Sequence, residues 1–325
     1  MTWIITGEQV NPAGDAQITY DITSTGGTFT LRSTGAVDYE VEWGDGTVEH
    51  STSNALAHTY AAGSYVLKIR TDQQYVPYFN NSGDEDQITS VELVSDLDVS
   101  TSLLAAWHGA NNMTSFDAAF GVTSSVTEFR QAWSNCSSLT SFPLIDTSSG
   151  TGFYACWDGC NGLTSFPLIN TSSATLFNFA WRSCSSLTSF PLIDTSSGTN
   201  FVSAWYNNSS LTSFPLLDTS SGTTFANCWL NCTNLTTFPA GFFDSWTGTP
   251  IANCFANTWA NCSSLTATSV ENILNSIDTS GQSAPASGVE ITISYNAGSG
   301  TPSVATAVTN LKSRGWTITL NGVAQ

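Results

Sequence analysis

Eight cysteines are the most reactive side chains in this sequence, and five of them keep a fixed place. Cys136, Cys160, Cys184, Cys232 and Cys262 each stand three residues after a tryptophan, whereas Ala110 and Asn208 hold that place in two other copies. A disulfide framework would not tolerate such replacements in mid-series. Cys156/Cys160 and Cys228/Cys232 could meet locally, but no paired Cys-x-x-Cys or nearby histidine supports zinc. The spacing therefore predicts buried, reduced thiols acting as small apolar groups. A second series holds Asp146, Asn170, Asp194 and Asp218 at a step of 24 residues. Stacked carboxylates at Asp146, Asp194 and Asp218 could collect Ca²⁺, an oxygen-seeking ion. The Asn in the series and the Thr-Ser-Ser that follows favour the other role, in which each side chain caps its own turn.

Catalytic constellations are not evident. His50, His58 and His108 are the three histidines, and none lies near a nucleophile motif. Gly-x-Ser-x-Gly, a phosphate loop and His-Glu-x-x-His are missing. A glycosidase can work with two carboxylates, but the repeats hold too few acids to suggest a pair. The expectation is a protein that is not an enzyme and carries no cofactor.

The elements that must position these residues are repeats. The phrase Leu139-Thr140-Ser141-Phe142-Pro143-Leu144-Ile145-Asp146-Thr147 returns from Leu163, Leu187 and Leu211. Such a fixed step marks a solenoid, in which each coil buries its apolar side against the next. Alignment on Trp107, Trp133, Trp157, Trp181, Trp205, Trp229 and Trp259 gives steps of 26, 24, 24, 24, 24 and 30, so the last coil carries an insertion near Phe242–Ile251. Leu or Phe stands four residues before each Trp, and Met or Leu six residues after it. Positions that hold their type in every coil point inward, which makes the tryptophans the core ladder.

From each Leu the pattern is Leu-x-x-Phe-x-Leu-x-x-Thr, the spacing of a leucine-rich repeat with a short parallel strand. Ile88-x-x-Val91-x-Leu93 fits as the first of eight strands, which at ~4.8 Å spacing form a stack roughly 35–40 Å long. Strand alternation would place Pro143/Ile145, Pro167/Ile169, Pro191/Ile193 and Pro215/Leu217 opposite Phe142 and Leu144. They then form either an exposed apolar stripe, a contact surface, or a set tucked into a corner of the coil. Proline lacks the N–H for pairing, so these strands should be very short.

Two resemblances follow from these residues. The aromatic-x-x-Cys-x-x-Leu run resembles the BspA-like bacterial surface repeat, with Trp where that family has Phe. The set Trp43-Gly44-Asp45-Gly46-Thr47, His58-Thr59-Tyr60 and Gly63-Ser64-Tyr65 resembles the PKD module, which implies an immunoglobulin-like β-sandwich used as a spacer or adhesive element. The organisation expected is mainly β: a PKD-like sandwich over 1–71, an acidic linker over 72–87, a leucine-rich-repeat solenoid of about eight coils over 88–268, and a small α/β cap over 269–325. Within the cap, helices are expected at 270–277 and 303–313, and strands at 289–295 and 316–320.

The chain has 325 residues, 41% hydrophobic and only 10% charged, with a net charge of −18. Residues 1–100 hold 15 acidic residues against Arg32, Lys68 and Arg70. Nothing there could neutralise a row of phosphates, so nucleic acid is not an expected partner. No apolar run approaches ~18 residues, which argues against membrane insertion. The start, Met1–Glu8, lacks the basic and apolar regions of a secretory leader. Surface-type domains, unpaired thiols and no leader predict assembly inside a cell and release by lysis. The sequence-level expectation is a virion-surface protein of a tailed phage, a head decoration or tail-fibre component. It would be present in many copies, joined to other virion or surface proteins through the N-terminal domain. The solenoid would meet a glycan or protein ligand. The alternative is a secreted or cell-surface bacterial adhesin.

Overall fold

The computed structural model describes residues 18–34, 38–71, 75–93, 101–118 and 123–325. Expectations for residues 1–17, including the missing leader, lie outside the described residues. The protein is mainly β, with few helices.

The N-terminal part is built on two long strands, β1 (Ile18–Arg32) and β4 (Ala55–Arg70), paired antiparallel from Ile18↔Ile69 to Arg32↔Ala55. Alternate residues Ile18, Tyr20, Ile22, Phe29 and Leu31 are fully buried, as a half-buried strand requires. Short strands β2 (Tyr39–Glu42) and β3 (Val48–Ser51) pair antiparallel across the Gly44-Asp45-Gly46 turn. Gly44 has φ 82, and a Cβ there would stand 2.6 Å from the carbonyl oxygen of Val66, so only glycine fits.

These strands do not end at a domain edge. β5 (Ile88–Leu93) pairs antiparallel with β1, and β6 (Ser115–Ala118) pairs parallel with β5, giving one six-stranded sheet in the order β3-β2-β4-β1-β5-β6. The second sheet that a sandwich needs is not found among the described residues. The segment read as an acidic linker is packed rather than loose, because it carries apolar anchors. Phe79 is buried against Tyr20 at 6.0 Å and Phe29 at 5.9 Å. Glu85 is 1% exposed, accepting from the Gly83 amide and the Ser82 hydroxyl. The amides of Asn80 and Asn81 donate to the carbonyls of Ala105 and His108. Residues 72–74 lie outside the described residues.

From Leu103 onward successive coils stack in register. On the tryptophan side, alternate amides donate to the next coil: Phe153 to Leu176 O, Ala155 to Asn178 O, Trp157 to Ala180 O and Gly159 to Arg182 O, at 2.8–3.1 Å. The amides between them, Cys156, Asp158 and Cys160, bond back three residues within their own coil. This pattern needs a left-handed residue two places before and two places after each Trp. Ala155 and Gly159, Phe179 and Ser183, and Asn227 and Asn231 fill those places with φ between 49 and 75. Asn and Gly tolerate that conformation best, which explains their recurrence after Trp.

The side chains inside form three stacks, one of them Phe129, Phe153, Phe177, Phe201, Phe225 and Phe255 at 5.1–6.1 Å. Consecutive indoles from Trp107 to Trp259 lie 5.4–5.9 Å apart, with planes 3–24° from parallel. Phe116, Phe142, Phe166, Phe190, Phe214 and Phe238 stack in a second row at 5.7–6.1 Å. Each phenyl stands edge-on to the indole beside it; Phe142 lies 4.8 Å from Trp133 at 80° and 5.2 Å from Trp157 at 82°. Offset and edge-on pairs are the favoured aromatic geometries. All seven ladder tryptophans are at most 1% exposed.

The strand side is weaker than the repeat spacing suggests. Among the described residues only β5 and β6 are strands there; further along, the Thr164, Thr188 and Thr212 amides reach the preceding Thr carbonyls at 3.3–3.4 Å. The coil of β6 has Asp117 where later coils have Pro143, Pro167, Pro191 and Pro215. Proline has no N–H to donate, so pairing stops at that place. Instead of eight strands, the later coils keep isolated contacts.

The insertion fills the end of the stack. Phe242, Phe243 and Trp246 are buried, with Phe243 5.2 Å from Phe225 and 5.4 Å from Phe255. Helix α1 (Ala267–Thr279) follows, capped by the Thr266 hydroxyl, and buries Val270, Ile273, Leu274 and Ile277. Strands β7 (Glu290–Ile293) and β8 (Thr317–Leu320) are parallel and joined through helix α2 (Ala305–Ser313), with β9 (Val323–Ala324) antiparallel to β8. The Ser294 amide donates to Trp259 O at 3.2 Å, and Trp316 lies 5.6 Å from Phe255, so this unit covers the last rungs of the tryptophan stack and of the Phe129–Phe255 stack.

Candidate binding surface

The Asx series serves its own backbone. Oδ1 of Asp146, Asn170, Asp194 and Asp218 accepts from the amides of Ser148, Ser172, Ser196 and Ser220 at 2.8–3.1 Å. The hydroxyl and amide of Ser196 hold the Asp194 carboxyl below its ordinary pKa. Immediately after, Thr147, Thr171, Thr195 and Thr219 are buried and donate to the next coil's carbonyl at Asn170, Asp194, Asp218 and Phe242. Of the two roles open to Asp146, Asp194 and Asp218, turn capping is the one the geometry realises. No group of three or more His, Cys, Asp or Glu that could hold a metal is found among the described residues.

The thiols are equally committed. Sγ of Cys136, Cys160, Cys184, Cys232 and Cys262 donates to the Trp carbonyl of the preceding coil at 3.0–3.3 Å. Burial pushes the Cys232 and Cys254 thiols up to about 12, and the others also rise. A thiolate, the reactive form, is thereby suppressed.

The apolar stripe falls on different residues from those expected. Ile145 is 1% exposed, and Ile169, Ile193 and Leu217 are 2% exposed, so all four are core. Leu144, Leu168, Leu192 and Leu216, expected inside, are 52, 63, 61 and 51% exposed. The cause is local. The amides of Ile169, Ile193 and Leu217 donate to the carbonyls of Pro167, Pro191 and Pro215, at 3.0–3.1 Å, closing three-residue turns centred on the intervening Leu. The turn ends strand alternation at proline, throws Leu outward and brings the next residue in. Pro143, Pro167, Pro191 and Pro215 are half-buried beside the stripe.

The two flanks of the coil differ in kind. One flank is constant: Thr140, Thr164, Thr188, Thr212 and Thr236, each followed by Ser or Thr, are exposed. From Thr164 on, each Thr hydroxyl donates to the preceding Thr carbonyl at 2.9–3.4 Å. The flank around the tryptophans varies from coil to coil. Three residues before Trp stand Arg130, Tyr154, Asn178 and Val202; one residue after it stand Ser134, Asp158, Arg182 and Tyr206. Arg182 forms a two-pronged bond to Asp158, 2.8 Å from Nε and 2.6 Å from Nη2, and its guanidinium lies 5.0 Å from the Phe179 ring centre. Arg130 stands 5.6 Å from the Tyr154 ring, which meets Phe179 edge-on at 5.6 Å. Sequence reading missed this cluster because it looked for sameness between coils; its signal is the difference between them.

In the N-terminal part, His58 stacks on Trp43 at 4.7 Å and bonds to Asp45 at 2.8 Å, while the Tyr60 hydroxyl donates to Trp43 O. The residues that carry the PKD resemblance thus hold one another in a structural cluster.

No protein-family model and no curated protein matches this chain. Among solved structures, a leucine-rich repeat protein from Bacteroides ovatus is similar at 15% identity. The match covers 72% of this chain and 80% of that one, with a TM-score of 0.21.

Proposed function

We propose that the chain is a surface-displayed, non-enzymatic binding protein: a PKD-like, immunoglobulin-type N-terminal unit, a leucine-rich-repeat solenoid of the BspA-like kind, and an α/β cap. Its place is the surface of a tailed-phage particle, as a head decoration or tail-fibre component. It joins its neighbours through the N-terminal unit and offers the solenoid flanks to a glycan or protein. The observation that carries the reading is the division of labour within each coil. The repeated Trp, Phe, Cys and Ile are spent on the interior, and the Asx and buried Thr on turns, which leaves two exposed flanks outside the core. A stacked repeat creates extended surface, and binding is what such surface does.

Five thiols donate hydrogen bonds to carbonyls, which suits folding in a reducing compartment before display. The net charge of −18 keeps crowded copies apart in solution. The Trp-x-x-Cys-x-x-Leu spacing favours a second reading, a bacterial cell-surface adhesin. Immunogold labelling and mass spectrometry of purified particles and of cell envelopes from the source culture separate the two. Signal on particles supports the first reading and signal on envelopes the second. A chain found only free in the cytosol overturns both.

A further inference from the structure

The repeat makes its own control experiment. Where packing or turn geometry fixes a residue, the coils agree; where nothing inside demands a type, they can differ. On the flank with Thr140 and Thr164 the coils agree, and four of the five exposed leucines line up in a uniform row. Around the tryptophans they differ, and the differences are chemically rich. Arg130 and Arg182, the two basic residues between Arg70 and Lys312, both sit there, each against an aromatic ring. Three half-buried aromatics, Tyr154, Phe179 and Tyr206, come from three successive coils. A uniform flank can recognise only a uniform partner. The irregular flank can recognise a particular one.

We propose that the flank carrying Tyr154, Phe179 and Tyr206 binds a neutral oligosaccharide, with Arg182 and Asp158 fixing its hydroxyls; this rests on the reading of the chain as a binding protein. Pyranose rings offer C–H faces that stack on aromatic rings, and pairs of adjacent hydroxyls that match planar polar groups. Aromatic side chains with a polar tip suit a ligand that is apolar on its faces and wet at its edges. The Arg182–Asp158 fork presents donors and acceptors in a fixed plane. Charge selects the neutral class. Arg182 already faces Asp158, and Arg130 lies 3.8 Å from Glu128, so the flank adds no net positive charge to a chain of −18. An anionic polymer would be repelled. A protein partner would need an apolar interface core of about 800 Å² per side, and most exposed leucines lie half a coil away.

The other coils supply a test that spares the fold. Phe179 has φ 61, and Asn227 and Asn257 occupy the equivalent place with φ 56 and 54. A triple variant, Tyr154→Asn, Phe179→Asn and Tyr206→Ser, therefore carries residues that Asn178, Asn227 and Ser134 already place in other coils. Purified native and variant chains are titrated with cellohexaose, xylohexaose, mannohexaose and anionic hexagalacturonate, with near-ultraviolet circular dichroism as the check on folding. The expected result is binding of at least one neutral hexasaccharide by the native chain, weakened roughly tenfold or more in the triple variant. A Leu168→Ser, Leu192→Ser variant should bind as the native chain does. No binding of any neutral sugar, preference for hexagalacturonate, or loss in the leucine variant with none in the triple variant overturns the proposal. The titration uses purified chain, so failure of the particle localisation would leave its result standing.

Discussion

The thiol of Cys184 donates to the carbonyl of Trp157 in the preceding coil at 3.2 Å, one rung of a ladder that every later coil but one repeats. The exception is Asn208, fully buried, whose amide nitrogen and oxygen both lack a partner. The carbonyl that a thiol would reach, Trp181 O, keeps only the Cys184 amide at 3.4 Å. An unpaired buried polar group costs about 1–3 kcal/mol. Asn208→Cys should supply the missing rung, remove the stranded amide and raise the melting temperature by roughly 2–4 °C per kcal/mol recovered. Calorimetry checks it; an unchanged or lower melting temperature would show that the amide is satisfied in solution.

The exchange of places between isoleucine and leucine makes a paired prediction. Ile193→Asp puts an uncompensated charge into the core and should cost about 3–5 kcal/mol. Leu192→Ser, one residue away and 61% exposed, should leave stability within about 0.5 kcal/mol of the native chain. Chemical denaturation of both variants decides it. Equal effects, or the reverse order, would contradict the turn at Pro191.

What the sequence disclosed and what it hid divide along one line. Periodicity exposed the Trp107–Trp259 ladder, the buried thiols and β5, because stacked coils convert equal spacing into equal environment; the cap elements α1, β7, α2 and β8 were legible segment by segment, where the repeat stops. It misplaced Ile145 and Leu144 because strand alternation was carried through Pro143, where the backbone turns instead. It could not show that β1 pairs with β5, since that contact joins residues about seventy apart that share no local signature. Trp246, inside the insertion and off the step of the other tryptophans, had no periodic partner to betray it. Its Nε1 nevertheless reaches Gly222 O at 2.6 Å.

Trp181 stands in mid-stack, 5.4 Å from Trp157 and 5.5 Å from Trp205, with Phe190 edge-on at 4.8 Å. Trp181→Ala removes a rung that both neighbours lean on, and the stack cannot collapse because the backbone spacing is set by amide bonds. The expected loss is about 3–5 kcal/mol. It should come with a change in near-ultraviolet circular dichroism larger than one lost chromophore, since the remaining indoles lose their stacking partner. Denaturant unfolding and the spectrum measure the two together; unchanged stability would place the indole outside the interior.

The N-terminal turn offers a pH test. The Asp45 carboxyl is held down to about 2, first by the Thr47 hydroxyl and amide at 2.6 and 2.9 Å, then by His58 at 2.8 Å. A carboxyl lowered on folding contributes stability that is complete above its unfolded value near 4. That stability is lost as pH falls through the folded value near 2. Asp45→Asn removes the titrating group, so the variant should be less stable than the native chain at pH 5. The difference should shrink between pH 4 and pH 2, where the native carboxyl takes up its proton. Urea denaturation across that range measures it. A gap that stays constant down to pH 2 would mean that Asp45 acts through its shape in the Gly44-Asp45-Gly46 turn rather than through its charge.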